Sequence, residues 1–215
     1  MKTATPSIRL GVVILAAGAS TRMGRPKLLL PWHGTTILGH LLREWRSSLG
    51  AEQITVVCAE GNEALEIELD RLGIPPEDRV PNPHPETGML DSIRLAAQWP
   101  GRLEAPTHWG IVLGDQPHLR RSTLERLIEF ASEHPDQISQ PGFNGRRRHP
   151  VILPRMLFGQ LADSPAASLR EFLRSVRNRL AVCEMVDPGL DIDIDTPEDY
   201  RRAVAMSRRP LQEKH

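Results

Sequence analysis

The sequence predicts an α/β fold, a three-layer α/β/α sandwich around a mostly parallel sheet, and three observations carry that prediction. Apolar runs of strand length, such as LGVVIL at residues 10–15 and WGIVL at 109–113, read as strands buried on both faces. Segments with apolar residues at helical spacing lie between them, so strands and helices alternate along the chain. The 215 residues contain no internal repeat or low-complexity linker, which predicts one domain over residues 1–206.

The elements follow in order. Residues 9–15 form the first strand, which empties into the small-residue stretch AAGAS. Thr36 caps a helix with Ile37, Leu38, Leu41, Leu42, Trp45 and Leu49 inward, and Gly50 closes it. Residues 54–58 form a strand, and 62–72 a helix with Leu65, Leu69 and Leu72 on one face, against a competing alternation in LEIEL. Pro81, Pro83 and Pro85 keep the chain extended up to Gly88, after which a helix turns Leu90, Ile93 and Ala97 inward. The strand at 109–113 ends in Gly114, Asp115, Gln116 and Pro117, and Ser122 begins an amphipathic helix with Leu124, Leu127, Ile128 and Ala131 inward. A weak strand at 137–140 leads into the loop PGFNGRRRHP and then VILP. Leu169, Phe172, Leu173 and Val176 mark another helix, and residues 180–186 a late strand. Thr196 caps the last helix, with Pro197 at its first position and acids in the first turn. Beyond Met206 the polar tail is expected to be disordered.

Composition narrows the function. Lysine plus arginine and aspartate plus glutamate number 27 each, so no net field recruits nucleic acid, and three adjacent arginines do not alter that. No apolar run approaches a membrane span. The first residues imitate a secretion signal, but its cleavage site would fall inside the loop that follows the first strand. Cys58 and Cys183 sit in apolar strand-like runs and read as buried free thiols of a reducing cytoplasm.

The chemistry is expected at strand ends, where open α/β sheets bind ligands. Leu15, Ala16, Ala17 and Gly18 leave backbone N–H groups with few side chains in the way, an anion cradle to which Arg22 and Lys27 add positive charge. That combination suits a polyphosphate. The spacing excludes both the P-loop and the dinucleotide fingerprint. Asp115, at another strand end, should face the same crevice and hold Mg²⁺ beside the phosphates; its bland alternative is a turn cap. In DIDIDTPEDY, Asp191, Asp193 and Asp195 alternate with isoleucines, so an extended backbone points all three carboxylates one way and asks for a cation or solvent. Asn82 and Ser92 alone read as turn and helix-start residues. Arg146, Arg147, Arg148 and His149 form a local basic cluster that solvent alone could satisfy.

The string L-A-A-G-x-S-x-R-M-G-x-P-K-L-L-L-P closely resembles the signature loop of the MobA-like nucleotidyltransferases, and within them is most similar to the molybdenum-cofactor cytidylyltransferases. Four motifs in order carry the resemblance from Leu15 to Tyr200. It implies a Rossmann-like sheet of the nucleotide-diphospho-sugar transferase kind, and an enzyme that moves CMP from CTP to the phosphate of a molybdopterin-type cofactor, with Mg²⁺, releasing pyrophosphate. NP-x-x-x-x-GM-x-x-S resembles the second nucleotide-contacting segment, which implies Asn82, Gly88 and Ser92. The GD-x-P motif implies Asp115 as a metal ligand, and DIDTPED implies Asp193, with Asp195 in support and Asp191 merely solvated. Lys27 would meet the α-phosphate and Arg22 the departing β and γ groups. G-x-x-x-HPV resembles the acceptor-side segment, implying Arg148 and His149, although RRR departs from the usual G-R-G-H-P and leaves the acceptor open. LAAG in place of LAGG implies a pyrimidine triphosphate, since the Ala17 methyl takes room a purine needs. The rivals are a GTP- or sugar-phosphate-specific transferase of the same fold, and a non-catalytic carrier that hands the cofactor to a molybdoenzyme.

Overall fold

The computed structural model describes residues 8–99 and 106–207; the tail from residue 208 onward lies outside the described residues. Strand β1 (Leu10–Leu15) leads to a small hairpin, β2 (Pro31–Trp32) and β3 (Thr35–Thr36), then helix α1 (Ile37–Arg43) and strand β4 (Gln53–Ala59). Next come α2 (Glu63–Arg71), β5 (Arg79–Asn82), α3 (Met89–Gln98), β6 (His108–Leu113) and α4 (Arg121–Glu133). The C-terminal half holds β7 (Ile138–Phe143), β8 (Arg146–Arg147), β9 (Val151–Pro154), α5 (Arg155–Gly159), α6 (Leu169–Ser175), β10 (Leu180–Glu184) and α7 (Pro197–Ser207).

The main sheet runs β10-β7-β9-β6-β1-β4-β5, with β8 added to β7. Strand β1 lies parallel to both β4 and β6. Strands β4 and β5 are parallel, as are β10 and β7, while β9 inserts antiparallel between β6 and β7. Both faces are buried, as the unbroken apolar runs require. Val12 and Ile14 pack on one side with Ile37, Leu38 and Trp45, and Val13 packs on the other with Ile93, Trp109 and Phe158. Leu15 and Leu113 are register partners, so the loops that follow β1 and β6 leave the sheet at one level.

Local signals explain most boundaries. Thr36 Oγ1 accepts from the Gly39 N–H at 3.0 Å, and Asn62 Oδ1 from the Leu65 N–H at 3.2 Å, starting α1 and α2 where the capping residues stand. At α7, Thr196 and Asp199 cap reciprocally, the Asp199 N–H reaching Thr196 Oγ1 at 3.2 Å and the Thr196 N–H reaching Asp199 Oδ2 at 3.0 Å. Six expectations are corrected. The end of the first helix is a π turn over Glu44–Ser48, and α4 starts one residue early, at Arg121. Strand β7 continues to Phe143, because β8, β9 and β10 pair with it, and β10 stops at Glu184, leaving Val186 90% exposed. The acidic ladder is not one extended stretch, since Asp191 closes a 3-10 turn, Pro188–Asp191. Finally, α7 runs through Ser207.

Candidate active site

The loop after β1 folds back on itself. The Ala16 N–H is not part of an open cradle, because it donates to the Val57 carbonyl at 2.8 Å. The N–H groups of Ala17 and Gly18 have no protein partner among the described residues, and a Cβ at Gly18 would meet nothing within 4 Å. Ser20 and Gly24 take left-handed conformations, φ 51° and 68°, and Ser20 Oγ accepts from the Lys27 N–H at 3.2 Å. These turns carry the lysine back over the strand ends.

There Lys27 meets the acids. Its Nζ lies 2.7 Å from Asp115 Oδ2 and 3.1 Å from Asp195 Oδ1, while Arg22 reaches Asp195 Oδ2 at 2.7 Å. Burial alone would lower the Lys27 pKa, but Asp115 and Asp195 outweigh it and the net shift is upward. The Ile194 N–H donates to the Asp115 carbonyl at 3.3 Å, docking the C-terminal segment on the end of β6. Buried Asp187 anchors that segment further: its carboxylate accepts from Thr123 Oγ1 at 2.8 Å, from the Arg120 N–H at 3.1 Å and from the Gly189 N–H at 2.9 Å. Asp193 Oδ1 accepts from Gln116 Nε2 at 2.9 Å. Burial and then the charge of Asp115 push the Asp193 pKa up.

A divalent cation fits these groups. Asp115 Oδ1 is buried without a hydrogen-bond partner, and the repulsion between the Asp115 and Asp193 carboxylates is relieved by positive charge. No cluster of three or more His, Cys, Asp or Glu ligands occurs among the described residues. Any further ligands would be phosphate oxygens and water, the usual environment of Mg²⁺.

Two clefts adjoin this centre. The smaller, about 210 Å³, is lined by Leu15, Ala16, Ala17, Gly18, Lys27, Ser92 and Asp115. The larger, about 810 Å³, is lined by Arg148, His149 and further arginines. Gly88 and Met89 line both, so the two clefts are neighbours that share a wall at these residues. Gly88 has φ 116° and ψ 177°, a conformation reserved for glycine, and it launches α3 between the two. Asn82 lies outside the lining. It is buried, donating to Ser92 Oγ at 2.9 Å and accepting from the His84 N–H at 2.8 Å, so it supports Ser92 from beneath.

Asp191 is not merely solvated: it is ion-paired with Arg148, which lines the larger cleft. Arg148 Nε remains buried without a partner, as does His149 Nδ1. Burial lowers the His149 pKa to about 4, so the ring is uncharged at neutral pH. Its hydrogen bond to the Ile111 backbone uses the other nitrogen as donor, which leaves Nδ1 as a lone-pair acceptor.

Residues 12–181 match the MobA-like NTP transferase domain. The chain belongs to that family. This MobA-like transferase is 29% identical over 200 residues to the nicotine blue oxidoreductase of Paenarthrobacter nicotinovorans (88% of this chain, 94% of that one). It is 27% identical over 188 residues to the molybdenum cofactor cytidylyltransferase of Escherichia coli (87% and 92%). A probable molybdenum cofactor guanylyltransferase of Bacillus cereus is 26% identical over 204 residues (89% and 94%). Among solved structures, Rv0371C of Mycobacterium tuberculosis in complex with manganese superposes with a TM-score of 0.65 at 28% identity (92% and 98%). The MobA-like chain is a nucleotidyltransferase with the nucleotide-diphospho-sugar transferase fold.

Several residues of this transferase's site escape sequence reading. Gln116 lies inside the LGDQP motif, and its side chain holds Asp193. Asp195, expected only in support, bonds both Arg22 and Lys27. Arg94, Arg170 and Arg174 line the larger cleft from α3 and α6, and no motif marks them. Both cysteines are buried and free, and the Cys58 thiol is pushed up to about 12 by burial. No helix among the described residues is long and apolar enough to cross a membrane.

Proposed function

We propose that the protein transfers CMP from CTP to the phosphate of a molybdopterin-type acceptor and releases pyrophosphate. The observation that carries this reading is the adjacency of two unlike clefts, which share Gly88 and Met89, with Lys27 and Asp115 at the smaller one. Reading residues 1–206 as one functional unit is supported by the smaller cleft drawing mainly on the N-terminal half and the larger mainly on the C-terminal half.

Asp115 and Asp193 would hold Mg²⁺, which supplies charge neutralisation for the phosphates when bound. Lys27 and the free N–H groups of Ala17 and Gly18 bind the phosphates, Lys27 exchanging carboxylate oxygens for phosphate oxygens. Arg22, 69% exposed, swings from Asp195 to the leaving pyrophosphate. A phosphate monoester loses its second proton near pH 6, at a pKa of about 6, so the nucleophile is already ionised and needs no general base. Uncharged His149 therefore positions: Nδ1 accepts from an N–H or O–H of the acceptor, and Arg148 Nε–H donates to its phosphate. In-line attack then depends on positioning and electrostatics.

The test is a melting curve with Mg²⁺ and CTP, GTP, UTP or ATP in turn, followed by pyrophosphate release with molybdopterin. A ligand at a hundredfold excess over Kd adds about 2.7 kcal/mol, roughly 5–10 °C for a chain this size. A shift for CTP alone and pyrophosphate release with molybdopterin are expected. A shift for GTP instead removes the argument from Ala17, and ligand binding without pyrophosphate release makes the protein a carrier.

A further inference from the structure

The larger cleft holds more positive charge than one phosphate can use. Six arginines line it against a single aspartate, on a chain of zero net charge. Two of the six are already committed. Arg94 pairs with Asp91 at 2.6 Å and donates to the Ser164 and Ala166 carbonyls, and Arg148 pairs with Asp191. Arg146 and Arg147 on β8, and Arg170 and Arg174 on α6, make no ion pair or side-chain hydrogen bond among the described residues. Leu169, Phe172 and Leu173 are the buried residues of α6, whereas Arg170 and Arg174, one turn apart, are exposed, and both line the cleft. Like charges at this spacing repel and destabilise a helix. The hairpin arginines add to that repulsion, and an anion between the two elements relieves it.

We propose that the cleft takes an acceptor with two separate anionic groups. The attacking phosphate sits toward Arg148, next to the nucleotide cleft. The second anion, remote from it, is held between Arg146 and Arg147 on one side and Arg170 and Arg174 on the other. Guanidinium groups bind oxyanions through paired N–H donors, and four of them exceed the needs of one phosphate monoester. This inference rests on the larger cleft being the acceptor side, and it sets the acceptor class: an organic phosphate carrying a further anionic centre.

The test uses paired probes on one scaffold, glucose 6-phosphate and glucose 1,6-bisphosphate, titrated calorimetrically with a non-hydrolysable CTP analogue and Mg²⁺ saturating the nucleotide cleft. The wild-type chain is expected to bind the bisphosphate at least about tenfold more tightly. The Arg170→Gln/Arg174→Gln variant should lose that preference, while its CTP-induced melting shift stays unchanged. Both substitutions are on exposed positions, and an unshifted melting temperature without ligand verifies the fold. A bisphosphate that binds no more tightly than the monophosphate, or a preference that survives in the variant, overturns the proposal. Failure of the molybdopterin reading shows separately, as absence of pyrophosphate release while the bisphosphate preference stands.

Discussion

Lys27 is held by two carboxylates, and its partners define what its loss does. Replacing one preorganised charge of this kind costs on the order of 10²–10³ in turnover. Lys27→Ala is therefore expected to fold, as judged by circular dichroism, and to lose pyrophosphate release by about that factor; near-full turnover would remove Lys27 from the mechanism. His149 supplies a pH signature. Its pKa is lowered from 6.5 to about 4, so the unfolded chain takes a proton that the native chain refuses. Stability from this group is complete above pH 6.5 and falls as the pH drops toward 4, by up to about 3 kcal/mol. His40, also lowered to about 4 by burial, has the same sign. Urea titrations at pH 7 and 4.5 should show a smaller loss for His149→Gln than for wild type, with the remaining slope carried by His40 and other groups.

Elements connect these residues, and the connections show what a sequence reveals. Thr36 was legible as a cap because its partner is three residues away; its second role was not. Its hydroxyl also donates to Glu68 Oε1 at 2.5 Å, joining the start of α1 to α2. Thr36→Ala should cost about 1–2 kcal/mol in denaturant unfolding, the upper end reflecting both bonds. Gly88 was legible through its motif, while its φ of 116° explains the residue type. Gly88→Ala should cost about 1–3 kcal/mol and weaken the CTP melting shift, because α3 starts there. The meeting of the loop after β1 with Asp115 was readable since each follows an unmistakable buried strand. Asp191 was misread because Arg148, its partner, is remote in sequence. Strand β7 looked short because Pro141 and Gly142 resemble strand breakers. In the fold, a Cβ on Gly142 would lie 2.6 Å from the Glu184 carboxylate, so the neighbouring β10 explains the glycine.

Across the whole molecule, zero net charge coexists with a strongly basic cleft, so salt should act locally. Raising ionic strength from 0.05 to about 0.5 M is expected to raise the acceptor KM while leaving the melting temperature nearly unchanged. The antiparallel insertion of β9 between β6 and β7 has a further consequence. It gathers most of the basic wall into one continuous stretch, residues 140–174, with one turn of α3 completing it. The smaller cleft, which the proposed function gives to the nucleotide, uses none of that stretch. Evolution can therefore rewrite the recipient while inheriting the donor chemistry intact, and a chimera exchanging only residues 140–174 between relatives should change recipient and keep the nucleotide.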